Sequence, residues 1–174
     1  MTQTPKGFIQ FNLSFNFPLS IDIAMPQSLS LIYVHWVFST KKRFPYFKDR
    51  SVRTQLHAVL GGKAKAIGCN PIIVGGVEDH VHLLTTLSRT KMASDFVKEI
   101  KTGATQWVKK QLKISEFHWQ SGYGAFSVSH SQLETVKSYI ANQEAHHKKF
   151  SFQDELRSLF SKHEVEFDER YVWD

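Results

Sequence analysis

The chain has 174 residues, 41% of them hydrophobic and 22% charged, which suits one compact soluble domain with a real core. Its single cysteine, Cys69, excludes an intrachain disulfide and a cysteine-cluster zinc site, and no apolar run approaches the ~20 residues of a membrane span. A formal charge of +6 and a pI near 9.4 favour a polyanionic partner, nucleic acid first.

Residues 1–24 carry only Lys6 and Asp22 as charges. The run Phe11 to Phe17 alternates apolar and polar in a strand period. Polar interruptions and the weak positive start argue against a signal peptide. We expect 1–24 to be an appended segment, either an edge strand or disordered, with Met25 the more usual beginning and 25–174 the domain proper. From Leu29 to Ser39 the β-branched and aromatic content predicts a buried strand. Lys41, Lys42 and Arg43 follow as a basic turn. Asp49 is placed to cap a helix whose apolar face carries Val52, Leu56, Val59, Leu60 and Ile67, and which Gly68 closes.

Pro71–Val77 and His80–Leu87 read as two strands around a turn at Glu78-Asp79. A long basic helix is expected over Lys91–Lys113, with Val97, Ile100, Ala104 and Val108 as its core stripe. Phe117–Gln120 and Ala125–Ser129 read as short strands. One continuous helix over Ser131–Lys148 is expected, opened by a capping pair of Ser131 and Glu134. A last helix covers Phe152–Lys162. This order predicts an α+β ferredoxin-like or RRM-like sandwich, an antiparallel sheet with helices packed on it.

Three features carry chemistry. In DHVHLL, His80 and His82 alternate on a strand, so both imidazoles share a face while Val81 takes the other. They can converge on one metal ion, with Asp79 as an outer partner. Tyr139 and Gln143 lie four apart on the predicted helix and therefore one turn apart on one face. Positive charge surrounds these elements: Lys41, Lys42, Arg43, Lys98, Lys101, Lys109 and Lys148 are the candidate DNA contacts. Each feature alone has a bland reading, as satisfied histidines, a boundary tyrosine or a solvated helix face. Of the other histidines, His35, His130, His146 and His147 could also approach a metal but are expected to be structural or to contact DNA.

The combination resembles the single-tyrosine HUH transposases of the insertion-sequence-200/605 type and their REP-associated relatives. The resemblance runs from Met25 to the C-terminus through YVHWVFSTKKR (33–43), DHVHLL (79–84), WQSGYGAFSVS (119–129), YIANQEAHHKK (139–149) and DERYVWD (168–174). It implies a ferredoxin-like core and a homodimer in which one subunit's tyrosine helix can serve the other's histidines. It also implies His80, His82 and Gln143 as ligands of Mg²⁺ or Mn²⁺ and Tyr139 as nucleophile. The expected activity is cleavage and rejoining of single-stranded DNA at hairpin-bearing ends through a 5′-phosphotyrosine, in the cytoplasm or nucleoid. A domesticated or non-catalytic hairpin-binding protein is the alternative. An RRM-like binder is disfavoured because GYGAFSVS lacks the leading basic residue and final aromatic of the RNP pattern. A two-histidine phosphoesterase would need two separate H-x-S/T motifs, whereas here His80 is followed at +2 by His82 and His130 by Gln132.

Overall fold

The computed structural model describes residues 9–10, 29–170 and 172–173. The alternating run at 11–17 lies outside them. Five strands form one antiparallel sheet in the order β1-β3-β4-β2-β5. They are β1 (Ile9–Gln10), β2 (Tyr33–Ser39), β3 (Pro71–Gly76), β4 (His80–Thr86) and β5 (Gly124–Val128). The helices are α1 (Arg50–Ala66), α2 (Ala93–Trp107), α3 (Leu133–Ala141), α4 (Gln143–His146) and α5 (Phe152–Lys162). With β1 set aside, the remaining four strands and α1 and α2 form the ferredoxin-like β-α-β-β-α-β sandwich expected. The two-residue β1 adds to the β3 edge, Ile9 opposite Val74 and Gln10 opposite Ile73.

Strand alternation divides the core. One sheet face sends Trp36, Phe38, Val74, Val81 and Leu83 into the main cluster, where α1 contributes Leu56 and Leu60 and α2 contributes Phe96 and Ile100. Trp36 stacks on Phe96 at 4.4 Å between ring centroids and donates to Thr85 Oγ1 at 2.9 Å, so its one polar atom is satisfied. The opposite face carries two smaller clusters. Ile72, Ile73 and Leu84 receive Ile140 of α3, and Val37 and Phe126 receive Phe152, Leu156 and Phe160 of α5.

Local signals account for most element ends. Asp49 caps α1 by accepting from the Ser51 backbone N–H at 2.7 Å. Gly68 then turns the chain at φ +77°, a conformation costly for any residue with a Cβ. Ser151 caps α5 through the Asp154 N–H.

Four expectations are corrected. The basic helix α2 stops at Trp107 and passes through a wider π turn over Val108–Leu112 before Lys113 turns left-handed. Residues 117–120 form only an isolated antiparallel bridge, Trp119 opposite Thr40, with Lys41 N–H bonding His118 O and Gln120 N–H bonding Ser39 O at the end of β2. Ser131 and Glu134 make no capping pair. Ser131 Oγ meets Ser129 Oγ, Glu134 pairs with Lys137, and His130–Gln132 is a 3-10 turn. The tyrosine helix is broken at Asn142, whose backbone departs from helical values (φ −99°, ψ 16°) while its side chain bonds Ser138 O at 2.7 Å. A short amide that competes for backbone groups favours such a break.

Candidate metal and tyrosine site

The histidines of β4 project from the face opposite Val81. Both are fully buried, with ring centroids 5.2 Å apart. Each ring is held from behind. His80 Nδ1 lies 2.7 Å from Asp79 Oδ1, so that nitrogen donates and Nε2 points inward with its lone pair. His82 Nδ1 lies 2.9 Å from Nε2 of His35, its diagonal neighbour on the same face of the adjacent β2. Burial lowers the affinity of His80 for a proton and lowers that of His35 much further. A neutral ring held from behind is the form a metal-ligating histidine takes.

The inward Nε2 atoms of His80 and His82 are buried and make no hydrogen bond among the described residues. Buried Gln143 Oε1 is in the same state. Two imidazoles left unsatisfied on one strand face, with an unsatisfied amide oxygen on α4, are donor types that suit a divalent cation, since buried polar atoms are otherwise almost always bonded.

Tyr139 and Gln143 converge despite the break at Asn142, because the two short helices remain stacked end to end. Both reach one carboxylate, that of Glu155 on α5. Tyr139 donates its hydroxyl to Glu155 Oε1, and Gln143 Nε2 donates to the same atom at 2.7 Å. The other oxygen, Oε2, faces the histidines: 3.1 Å to His147 Nε2, 3.4 Å to His82 Nε2 and 3.5 Å to His80 Nε2. His80, His82, His147 and Glu155 therefore form a cluster whose ligand atoms lie within 4.8 Å of one another. Burial opposes the charge on Glu155, but His82, His147 and His80 outweigh it and hold the carboxyl far below its usual range. For His147, burial is outweighed by its bond to Glu155 and by that charge, which raise its proton affinity. Burial, reinforced by the Glu155 charge, pushes the Tyr139 phenol well above its ordinary value.

Glu155 is the functional candidate that motif reading missed, and His147, able to approach a metal but expected to be structural or to contact DNA, joins it in the cluster. The sequence does carry a signal for Glu155. Phe152, Leu156, Leu159 and Phe160 define the inner stripe of α5, and Glu155 falls within that stripe at 3% exposure. A carboxylate among core positions needs a partner.

Two clefts flank the cluster. One is bordered by His35, Ser127, Gln132, Tyr139, Ser158 and Lys162. The other is bordered by Arg43, Arg53, Asp79, His147, Lys148 and Phe152. The predicted basic residues divide accordingly. Arg43 and Lys148 line the second cleft. Lys41 and Lys42 are exposed in the turn after β2, where Lys42 and Arg43 both take positive φ (54° and 52°). That turn is tied by Thr40 Oγ1 to Phe44 O at 2.7 Å. Lys98, Lys101 and Lys109 belong to α2 and its π turn, on the sheet face away from the histidines, and are not brought to the cluster. Lys101 is committed elsewhere: its ammonium donates to Gln120 O and Gly122 O, both at 2.7 Å, and sits over the Phe38 ring. Burial draws its pKa down to about 8.

The tyrosine segment is anchored at both ends. Glu144 of α4 pairs with Arg53 at 2.8 Å and with Arg50 at 3.0 Å, both on α1. Ile140 lies flush on Gly75 of β3.

The sequence model of a family described as IS200-like transposases matches residues 28–143. That span contains His80, His82, Tyr139 and Gln143 and ends before His147 and Glu155. Among solved structures, the chain is similar to a protein of Deinococcus radiodurans R1 assigned as a transposase. The identity is 24% and the TM-score 0.53, over 68% of this chain and 95% of that one. It is also similar to a REP-associated tyrosine transposase solved bound to a REP hairpin. There the identity is 13% and the TM-score 0.52, over 67% of this chain and 68% of that one. Both likenesses concern the fold. No curated protein matches the chain.

Proposed function

The chain belongs to the IS200-like transposase family, and on that premise we propose that it cuts and rejoins single-stranded DNA with Tyr139 as nucleophile and a divalent cation held by His80, His82 and Gln143. The observation that carries this reading is the convergence of the Tyr139 hydroxyl, the Gln143 amide and the unsatisfied Nε2 atoms of His80 and His82 on one carboxylate. Mg²⁺ or Mn²⁺ suits the mixed nitrogen and oxygen donors, with Glu155 and His147 within reach of the same ion. Bound there, the ion supplies charge neutralisation at the scissile phosphate.

The protein residues then have separable tasks. Asp79 and His35 fix the ring orientation of His80 and His82. Gln143 and Glu155 fix the Tyr139 hydroxyl beside them. Attack by Tyr139 on phosphorus forms the 5′-phosphotyrosine and releases a 3′-hydroxyl. Because the phosphodiester energy is kept in that bond, a second 3′-hydroxyl reseals the strand without ATP. The flanking clefts give the strand a path past the tyrosine. The substrate we favour is a hairpin-bearing end, and the acting form a homodimer.

The test is a denaturing gel of labelled single-stranded DNA bearing the element's own ends, with Mn²⁺ or EDTA. A denaturant-resistant protein–DNA adduct is expected with Mn²⁺ and none with EDTA or with Tyr139→Phe. Retained binding without any adduct on correct ends would favour a domesticated hairpin-binding protein instead.

The second cleft yields its own expectation. Arg43→Ala combined with Lys148→Ala should weaken single-strand binding and flatten its salt dependence by about one to two phosphate contacts. Lys98→Ala, on the opposite sheet face, should change neither. Filter binding across a salt series measures both, and equal losses would remove the cleft from the DNA path.

A further inference from the structure

Glu155 lies on α5, beyond the residues that the family model matches. Its two oxygens face different chemistry. Oε2 is turned to His80, His82 and His147, whereas Oε1 accepts the Tyr139 hydroxyl and the Gln143 amide. The helix cannot easily withdraw this group. Phe152, Leu156 and Phe160 anchor α5 in the sheet, and the Ser151 cap fixes its first turn. The carboxylate is thus held by packing at the one atom from which a proton must depart. A phenol with an ordinary pKa of about 10 is protonated at neutral pH, so the proton has to move during the attack.

We propose that Glu155 is a further catalytic residue of the strand-transfer reaction, receiving at Oε1 the proton of the Tyr139 hydroxyl as the phenol oxygen attacks the phosphodiester. The inference rests on the tyrosine-nucleophile reading above. In the cutting step the bond between Tyr139 Oη and phosphorus forms and the bond from phosphorus to the 3′-oxygen breaks. The phenol proton passes to Glu155, and the departing 3′-oxygen takes a proton from solvent to become a hydroxyl. In rejoining, an incoming 3′-hydroxyl loses its proton to solvent and attacks phosphorus. The Tyr139 oxygen leaves and recovers its proton from Glu155. Each half balances, and no outside oxidant or reductant is needed.

The experiment measures single-turnover adduct formation by the full chain on element-end DNA at saturating Mn²⁺. Glu155→Gln keeps the size of the side chain and an oxygen to accept from Tyr139, but not the basicity. We expect it to slow adduct formation by about 100-fold or more, the usual range for loss of a general base. Glu155→Asp, which keeps a carboxylate, should lie between Glu155→Gln and the parent, and thermal unfolding verifies that both fold. The readout that a structural or ligand role would not move uses a ring-fluorinated tyrosine, with a more acidic phenol, at position 139. With that nucleophile the Glu155→Gln defect should shrink by at least tenfold. Mn²⁺ affinity, followed by the free-ion resonance signal, is measured on every variant so that lost ion binding is not mistaken for lost catalysis. A Glu155→Gln rate within threefold of the parent would overturn the proposal. So would a defect that the fluorinated tyrosine leaves unchanged. An adduct that survives Tyr139→Phe would instead sink the nucleophile reading on which the proposal depends.

Discussion

Replacing His80 and His82 together with alanine is expected to lower adduct formation by roughly a thousandfold, to below detection on a gel. The reason is electrostatic. A cation at a scissile phosphate contributes several kcal/mol of stabilisation to the developing charge, and each ~1.4 kcal/mol is a factor of ten in rate. Among the described residues, His35 is turned to His82, and His146 and His147 would remain beside Glu155 from outside the β4 strand pair. The same variant should lose its thermal response to Mn²⁺. A ligand present at a hundred times its dissociation constant stabilises the folded state by about 2.7 kcal/mol, and the variant should gain none of that. Calorimetry with and without Mn²⁺ measures this independently of DNA. A variant with unchanged adduct yield and an unchanged Mn²⁺ response would move the metal centre away from β4.

The second large effect is expected at a glycine with no chemistry of its own. A Cβ on Gly75 would stand 2.6 Å from the backbone oxygen of Ile140 and 2.8 Å from its Cγ2 atom. The oxygen belongs to the last turn of α3 and cannot swing away as a flexible side chain could. Gly75→Ala should therefore lift α3 off β3 and cost about 2–3 kcal/mol, the scale of overpacking in a closed core. Urea unfolding reads the stability. Because Tyr139 precedes Ile140, adduct formation should fall along with it, whereas Mn²⁺ binding through β4 should fall less. Equal stability to the parent would show that α3 does not rest on the sheet as described. The next residue is constrained differently. Gly76 has φ +140°, and a Cβ there would meet His80 O at 2.3 Å, so the β3–β4 hairpin that presents His80 depends on it as well.

Much of the site follows from short-range periodicity. In DHVHLL a period of two is enough to send His80 and His82 to one face and Val81 to the other, whatever the sheet around them does. A spacing of four similarly brings Tyr139 and Gln143 together, and the pair survives the break at Asn142 because the Asn142 N–H still bonds Ser138 O and the His146 N–H bonds Asn142 O. The caps at Asp49 and Ser151 and the limits of α5 are also local, since a side chain bonding to a backbone N–H two or three residues on needs no distant partner.

Other features depend on which surfaces meet. The strand expected at 117–120 is reduced to a single antiparallel bridge, Trp119 opposite Thr40, because it meets β2 only at its last residues. Lys101 resembles its basic neighbours along the chain, yet it is spent on loop carbonyls because α2 packs on the face away from the histidines. Most of all, the place of Glu155 depends on the docking of α5. A glutamate in an apolar stripe announces that it needs a partner, but nothing nearby in the chain says that the partners are Tyr139, Gln143 and four histidines. Those contacts span from eight residues, to His147, up to seventy-five, to His80. The residues of β4 and α3 are chosen by local periodicity, whereas their meeting on one carboxylate is a long-range event that burial of Phe152, Leu156 and Phe160 against the sheet alone makes favourable.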